Sequence, residues 1–240
     1  MVWVLIKPLA MFTILYFVWT AFRGSPEPGY QVKLLLGIML FNYINEAVIF
    51  GMNGLLDKSH IILKVNFPRE IAVLSSMLMA VINLGINMLI FVIFSLFNPI
   101  VVTITSILWF LFIIFTITIL IYGLNLFLSI LIIKLRDLQN IFELLFQLLF
   151  WATPIFYELG AGAGQINGPI GNIISMNPLG WIITAARQAL IYGRIGDVVI
   201  LGNQFPIVVV IGILFLMGVL LFGLGRVYFK HKVTEIAEYF

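Results

Sequence analysis

The sequence predicts an all-α, polytopic membrane protein with six transmembrane helices, re-entrant helices between the fifth and the sixth, and both termini cytoplasmic. Three observations carry this. Of 240 residues, 62% are hydrophobic and 10% charged, against roughly 45–50% and about 25% in an ordinary soluble domain, so polar side chains are too few to cover a core in water. From Ile71 to Ile133, 63 consecutive residues include no Asp, Glu, Lys, Arg or His; as one helix they would reach ~95 Å at about 1.5 Å per residue, several times what a bilayer crossing needs. The 13 Lys and Arg residues also fall unevenly between alternate connections. High hydrophobicity excludes disorder, and the absence of cysteine excludes a disulfide scaffold. The net charge of +3 comes from a few loop residues on an apolar background, which orients a membrane protein and gives no reason to expect a nucleic-acid partner.

Taken in order, residues 2–22 form the first span. It lacks the basic leading region and the small-x-small cleavage site of a secretory leader, so it reads as a retained helix. The turn-rich Arg23-Gly-Ser-Pro-Glu-Pro-Gly29 separates it from a second span over 34–55. The long uncharged run must turn, and its strongest breaker is Asn98-Pro99, which divides it into spans over 71–97 and 100–133. Residues 138–156 and 205–229 complete the six, within one transmembrane domain covering 1–240. Residues 157–204 are rich in Gly and Asn and carry Arg187, Arg194 and Asp197, which reads as an extracellular or re-entrant region. Within it, Asn177-Pro178 is a good N-cap and first-turn pair for a helix of about 15 residues ending before Gly193. At ~22 Å, with Arg187 inside it, that helix is too short to cross alone and should dip and return.

With the N-terminus inside, Lys7, Lys58, Lys64, Arg69, Lys134, Arg136, Arg226, Lys230 and Lys232 are cytoplasmic, and Arg23, Lys33, Arg187 and Arg194 are outside. Nine against four fixes the orientation in the cytoplasmic (inner) membrane.

The largest cytoplasmic connection, 57–70, has an apolar middle. A short amphipathic helix from Ser59 to about Val65, stopped before Pro68, would present that face either to the membrane surface or to a soluble partner. Asn42, Glu46 and Asn53 share one face of the second span and Asn83 and Asn87 one face of the third. An ionisable group at such depth must face protein or water, so Glu46 points into a bundle or dimer interface; the amides read as glue between helices or as part of a substrate path. Phe12, Tyr16 and Trp19 share a face of the first span, as do Phe142, Phe146 and Phe150 of the fifth. Such stripes contact lipid or neighbouring helices, or else line a conduit whose ring faces let sugars slide, for which Trp151, Phe156 and Tyr157 are well placed. No phosphate-binding Gly-x4-Gly-Lys-Ser/Thr loop, metal-ligand spacing or catalytic constellation is present, so no catalytic, cofactor-binding or metal-binding residue is expected and the chain reads as no enzyme.

In Asn66-Phe-Pro-Arg-Glu70, Arg136-Asp137, Thr153-Pro-Ile-Phe-Tyr157, and Asn177-Pro178 through Arg187 to Tyr192-Gly193, in that order and spacing over nearly the whole chain, the sequence resembles the membrane subunits of ABC exporters for lipid-linked polysaccharides: the O-antigen, teichoic acid and capsule permeases of the ABC type 2 group. The resemblance implies a homodimer bound to two copies of a separate ABC ATPase, which would hold the ATP and Mg. It makes 57–70 the coupling element, with Asp57, Lys58, His60, Lys64, Phe67, Arg69 and Glu70 as its contact residues. Asn177, Pro178 and Arg187 fall in the family's re-entrant pair, and aromatic rings line the conduit for a lipid-linked glycan. Where these permeases usually open with a cytoplasmic amphipathic helix, the first span here begins almost at Met1. Three alternatives share parts of this pattern: an exporter of drugs or small lipids on the same architecture, a membrane-embedded glycolipid transferase, and a purely structural assembly subunit.

Overall fold

The computed structural model describes residues 2–23, 29–62, 68–98, 100–135, 137–157 and 168–233. Five helices are long and apolar enough to cross a membrane: α1 (Val2–Arg23), α2 (Tyr30–Asp57), α4 (Glu70–Ser95), α5 (Ile104–Lys134) and α9 (Ile207–Lys232). Between them lie the single turn α3 (Ser59–Ile62), the shorter apolar helix α6 (Leu138–Ala152), and α7 (Gly168–Ser175) and α8 (Pro178–Leu190). With these helices the chain reads as a helical, multi-pass membrane protein.

Helix boundaries follow local chemistry. Thr103 caps α5, its Oγ1 accepting from the Ser106 backbone N–H at 3.2 Å, so that helix starts after the predicted Ile100. α6 stops at Ala152 because Pro154 has no N–H to continue the ladder and disfavours helical backbone at Thr153. Its 15 residues reach ~22 Å, short of the ~30 Å hydrocarbon core. Asn177 caps α8, accepting from the Leu179 N–H at 3.0 Å with Pro178 in the first turn.

The region ahead of α9 departs from an all-helical reading. Strands β1 (Asp197–Ile200) and β2 (Asn203–Pro206) pair antiparallel, and β2 takes the first two residues of the predicted sixth span. Val198, Val199 and Ile200 favour extended backbone, and Leu201 and Gly202, both at positive φ (52° and 81°), make the tight turn. The turn is anchored by the Leu201 N–H donating to Ser175 Oγ at 2.9 Å.

The chain folds as two compact units, each assembled from three stretches. The first comprises Met1–Asn42, Asn83–Ile114 and Leu148–Ile211, and the second Tyr43–Ile82, Phe115–Gln147 and Gly212–Phe240. In the second, Leu55, Ala72, Val73, Leu126, Ile130 and Phe229 form the core. Here α5 and α9 touch backbone to backbone: a Cβ on Gly123 would lie 2.5 Å from the Phe222 nitrogen, and one on Gly225 2.6 Å from the Gly123 oxygen. Without a hydrophobic drive between helices in lipid, such close approach supplies the packing energy. Asn125, fully buried on α5, donates to the Ala47 carbonyl at 2.9 Å, and Tyr43 and Thr118 share a 2.6 Å hydroxyl bond.

Helix burial is unequal. α2 is enclosed, with Leu34, Leu35 and Leu36 showing no exposed surface, whereas α1, α4, α5 and α9 present large apolar side chains outward, such as Phe17, Leu89, Leu108 and Leu220. The helix that carries Asn42, Asn45, Glu46 and Asn53 is thus the one most shielded from lipid, as the cost of polar groups in hydrocarbon requires.

Candidate functional site

In the first unit the central feature is the broken end of α6. After Ala152 the backbone of Thr153–Tyr157 runs non-helically, and all five residues are buried. The carbonyls freed by that break need donors, since water is scarce there. Arg187, 7% exposed on α8, supplies them. Its Nη1 donates to the Pro154 carbonyl at 3.0 Å, its Nη2 to that of Ile155, and its Nε to that of Lys33 on α2 at 3.1 Å. One guanidinium therefore ties α2, α8 and the α6 terminus together. Asn177 adds a second tie, donating from Nδ2 to Thr153 Oγ1 at 2.9 Å.

An aromatic cluster surrounds this junction. Phe156 packs on Trp19 (5.2 Å between ring centres), Trp151 (5.4 Å) and Tyr157 (5.1 Å), and Phe150 on Phe41 (5.2 Å). Phe12 stacks on Tyr16 and meets Phe94 edge-on. Of the predicted conduit residues, Phe12, Phe146, Phe150, Phe156 and Tyr157 are buried and Tyr16 and Trp19 half-buried, while Trp151 is 58% exposed.

Beside the junction lies a cavity of 230 Å³ floored by Pro154, Val198 and Val199 and bordered by Arg187, Arg194 and Asp197. Its rim is pinned by Gln188, whose amide donates to the Asp197 carbonyl and accepts from the Gly196 N–H, both at 2.8 Å. The Arg194 guanidinium sits 5.4 Å and the Lys33 ammonium 5.3 Å from the centre of the Tyr192 ring, a cation–π arrangement on each count. Lys33 is 7% exposed.

In the second unit, the predicted coupling residues gather at the ends of α2, α4 and α9. Asp57 and His60 are exposed. Lys58 reaches α4, donating to Ser75 Oγ and to the Ala72 carbonyl. Arg69 Nη1 donates to the Val233 carbonyl just past α9, and Glu70 pairs with Arg226 of α9 at 3.3 Å. Lys64 and Phe67 lie outside the described residues, as does the predicted amphipathic helix beyond Ile62.

The intramembrane polar residues occupy different settings. Asn42 and Asn87 are buried, the Nδ2 of the first and the Oδ1 of the second having no hydrogen-bond partner within the described chain; Glu46 and Asn83 are half-buried. Among the described residues no cluster of three or more His, Cys, Asp or Glu side chains could hold a metal ion.

Sequence reasoning passed over Asn125, whose neighbours Gly51 and Ala47 are 74 and 78 positions away in the chain, and used Arg226 for orientation alone, its partner Glu70 preceding it by 156. It also passed over the polar face of α6, although the spacing of Asn140, Glu143 and Gln147 was there to be read. All three are exposed, and the Glu143 carboxylate accepts from Gln139 Nε2 at 2.8 Å.

No protein-family model matches the sequence. Two curated proteins of Klebsiella pneumoniae do, each described as an O-antigen export system permease protein RfbA. One is 24% identical over 236 residues and the other 26% identical over 242, each alignment covering 98% of this chain and 85% of the relative. The resemblance carried by the motifs is thereby borne out: from end to end, the chain is similar to the permease proteins of O-antigen export systems.

Proposed function

We propose that the chain is the permease subunit of an ATP-driven ABC exporter that carries lipid-linked polysaccharide or a polyol-phosphate polymer across the cytoplasmic membrane. The observation that carries this reading is similarity to O-antigen export permeases along 98% of the chain, on a frame of apolar helices. The subunit transports and does not hydrolyse; ATP and Mg belong to two copies of a partner ATPase, and two copies of the permease enclose the passage.

The six-span topology is part of the same proposal. The 15 residues of α6 contribute ~22 Å, and the five non-helical residues after it add up to ~16 Å at about 3.3 Å each, together enough for a ~30 Å core. The freed carbonyls bonded by Arg187 make such a broken crossing tolerable in hydrocarbon. α7 and α8, of 8 and 13 residues, are too short to cross and form the re-entrant pair at the outer side.

Closure of the ATPase dimer pushes on the 57–70 loop. Because Arg69 and Glu70 are bonded to the α9 end as well as leading into α4, the push moves those two helices together and opens the seam between subunits. The test is the pair Arg69→Ala and Glu70→Ala, each expected to cut glycan export at least tenfold while the ATPase still hydrolyses and the permease still inserts. Normal export by both variants would overturn the coupling role; loss of insertion would reduce it to a folding role.

A further inference from the structure

We propose that the cavity beside α8 and β1 is a receptor site for the zwitterionic headgroup of a membrane phospholipid, a phosphate diester with a primary ammonium at its end, as in phosphatidylethanolamine. Every residue that lines it belongs to the first compact unit. Apart from Trp181, the polar side chains of α8 are Thr184, Arg187 and Gln188. Standing at i, i+3 and i+4 they share one face, and all three line the cavity. Arg194, on the connection to β1, and Asp197, the first residue of β1, add a second guanidinium and a carboxylate, while Pro154, Val198 and Val199 supply apolar surface. Both signs of charge thus meet in one small space.

The walls are set before a ligand arrives. Arg187 is 7% exposed and oriented by three carbonyls, Gln188 pins the backbone of Gly196 and Asp197, and the Tyr192 ring holds the Arg194 guanidinium at 5.4 Å. Such preorganisation lowers the cost of binding. Guanidinium forks match the oxygens of a phosphate, and the Thr184 hydroxyl adds a donor. The Asp197 carboxylate accepts only; it opposes a bare anion and answers an ammonium, so a headgroup carrying both charges satisfies groups that inorganic phosphate would not. A neutral sugar has no use for either charge. At 230 Å³ the cavity is smaller than the ~300–1,000 Å³ that encloses a drug-sized molecule, so it takes a headgroup while the acyl chains lie outside. Oily surface for them is at hand. Ile195, between Arg194 and Gly196, is 46% exposed, and Val208 and Val209, just past β2, are 50% and 53% exposed. The hairpin also leads directly into α9, a candidate membrane span, which sets the cavity at the level where a span leaves hydrocarbon and lipid phosphates gather. The site asks only that the chain sit in a bilayer and stands apart from the export reading.

The test takes the full chain, purified in detergent and stripped of lipid, and titrates it with dioleoyl phospholipids under native mass spectrometry. Phosphatidylethanolamine should bind one site at least tenfold more tightly than phosphatidylglycerol, which keeps the phosphate and lacks the ammonium. It should also exceed phosphatidylcholine, whose trimethylated nitrogen cannot donate a hydrogen bond to Asp197. Arg194→Ala should weaken phosphatidylethanolamine at least fivefold, with Arg194→Lys recovering part of the loss. Asp197→Asn should erase the preference over phosphatidylglycerol. Both side chains are exposed, so the thermal transition should hold in these variants, and Arg187, which ties the helices together, is left in place. Equal affinity for the three lipids, tighter binding of phosphatidylglycerol, or undiminished binding by both Arg194→Ala and Asp197→Asn would overturn the proposal. Soluble phosphoethanolamine separates the lipid from its free headgroup: it should compete only at concentrations at least a hundredfold above those of the lipid, and competition at equal concentration would overturn the membrane as the source of the ligand.

Discussion

Arg187 shows how much one side chain can hold in a membrane protein. Hydrogen bonds to a charged donor are worth ~1.5–3 kcal/mol each, and here one guanidinium donates to three backbone carbonyls, two of them, Pro154 and Ile155, outside any helix. Arg187→Ala is expected to cost at least ~3 kcal/mol, because it leaves buried acceptors unpaired, and to appear as a marked drop in the thermal transition of the detergent-solubilised protein. Arg187→Lys keeps the charge but not the planar fork, so it should recover only part of that loss. Asn125→Leu removes a single interhelical bond and should cost less, ~0.6–1.7 kcal/mol on the scale measured for membrane helices. The sequence announced Arg187 as a charge in an apolar setting. Its partners were not legible, since they lie 32, 33 and 154 positions earlier in the chain and are main-chain atoms that any residue carries.

At the level of elements, the long apolar runs and their breakers were readable because lipid imposes one rule on every span: length and apolarity. What that rule leaves silent is how helices approach one another. The Gly123–Gly225 contact between α5 and α9 is such a case, as glycine in an apolar run has no signature that tells a contact from a gap. Gly123→Ala should sharply lower the yield of folded protein, measured by size-exclusion profile, because its Cβ would meet backbone. Gly212→Ala on the same α9 meets nothing within 4 Å and should be close to neutral. The hairpin was missed for a related reason. Four-residue strands give too short a pattern to separate from a loop, and Leu201 in its turn adopts a positive φ that favours glycine or asparagine. The fifth span was read through 156 although α6 ends at Ala152: Pro154 carried the signal for that early end, and nothing in the sequence told that the loose carbonyls would be met from another helix.

For the molecule as a whole, the orientation proposed from nine basic residues against four is open to direct measurement. Cysteines placed at Ser59, half-buried, and at Ile195, exposed, both outside the long helices, should react with an impermeant reagent from opposite sides of the membrane: Ser59→Cys only in inverted vesicles and Ile195→Cys only in intact cells. The seclusion of α2 has a further reach. A helix walled in by protein has to fit its neighbours atom by atom, while helices bathed in acyl chains need only stay oily. In a saturation screen for growth or surface glycan, α2 should accept few replacements even among aliphatic residues, whereas the outward sides of α1, α4 and α9 should trade Leu, Ile, Val and Phe almost freely. Across diverging lineages that contrast would be written as a slow-evolving spine inside a fast-drifting coat.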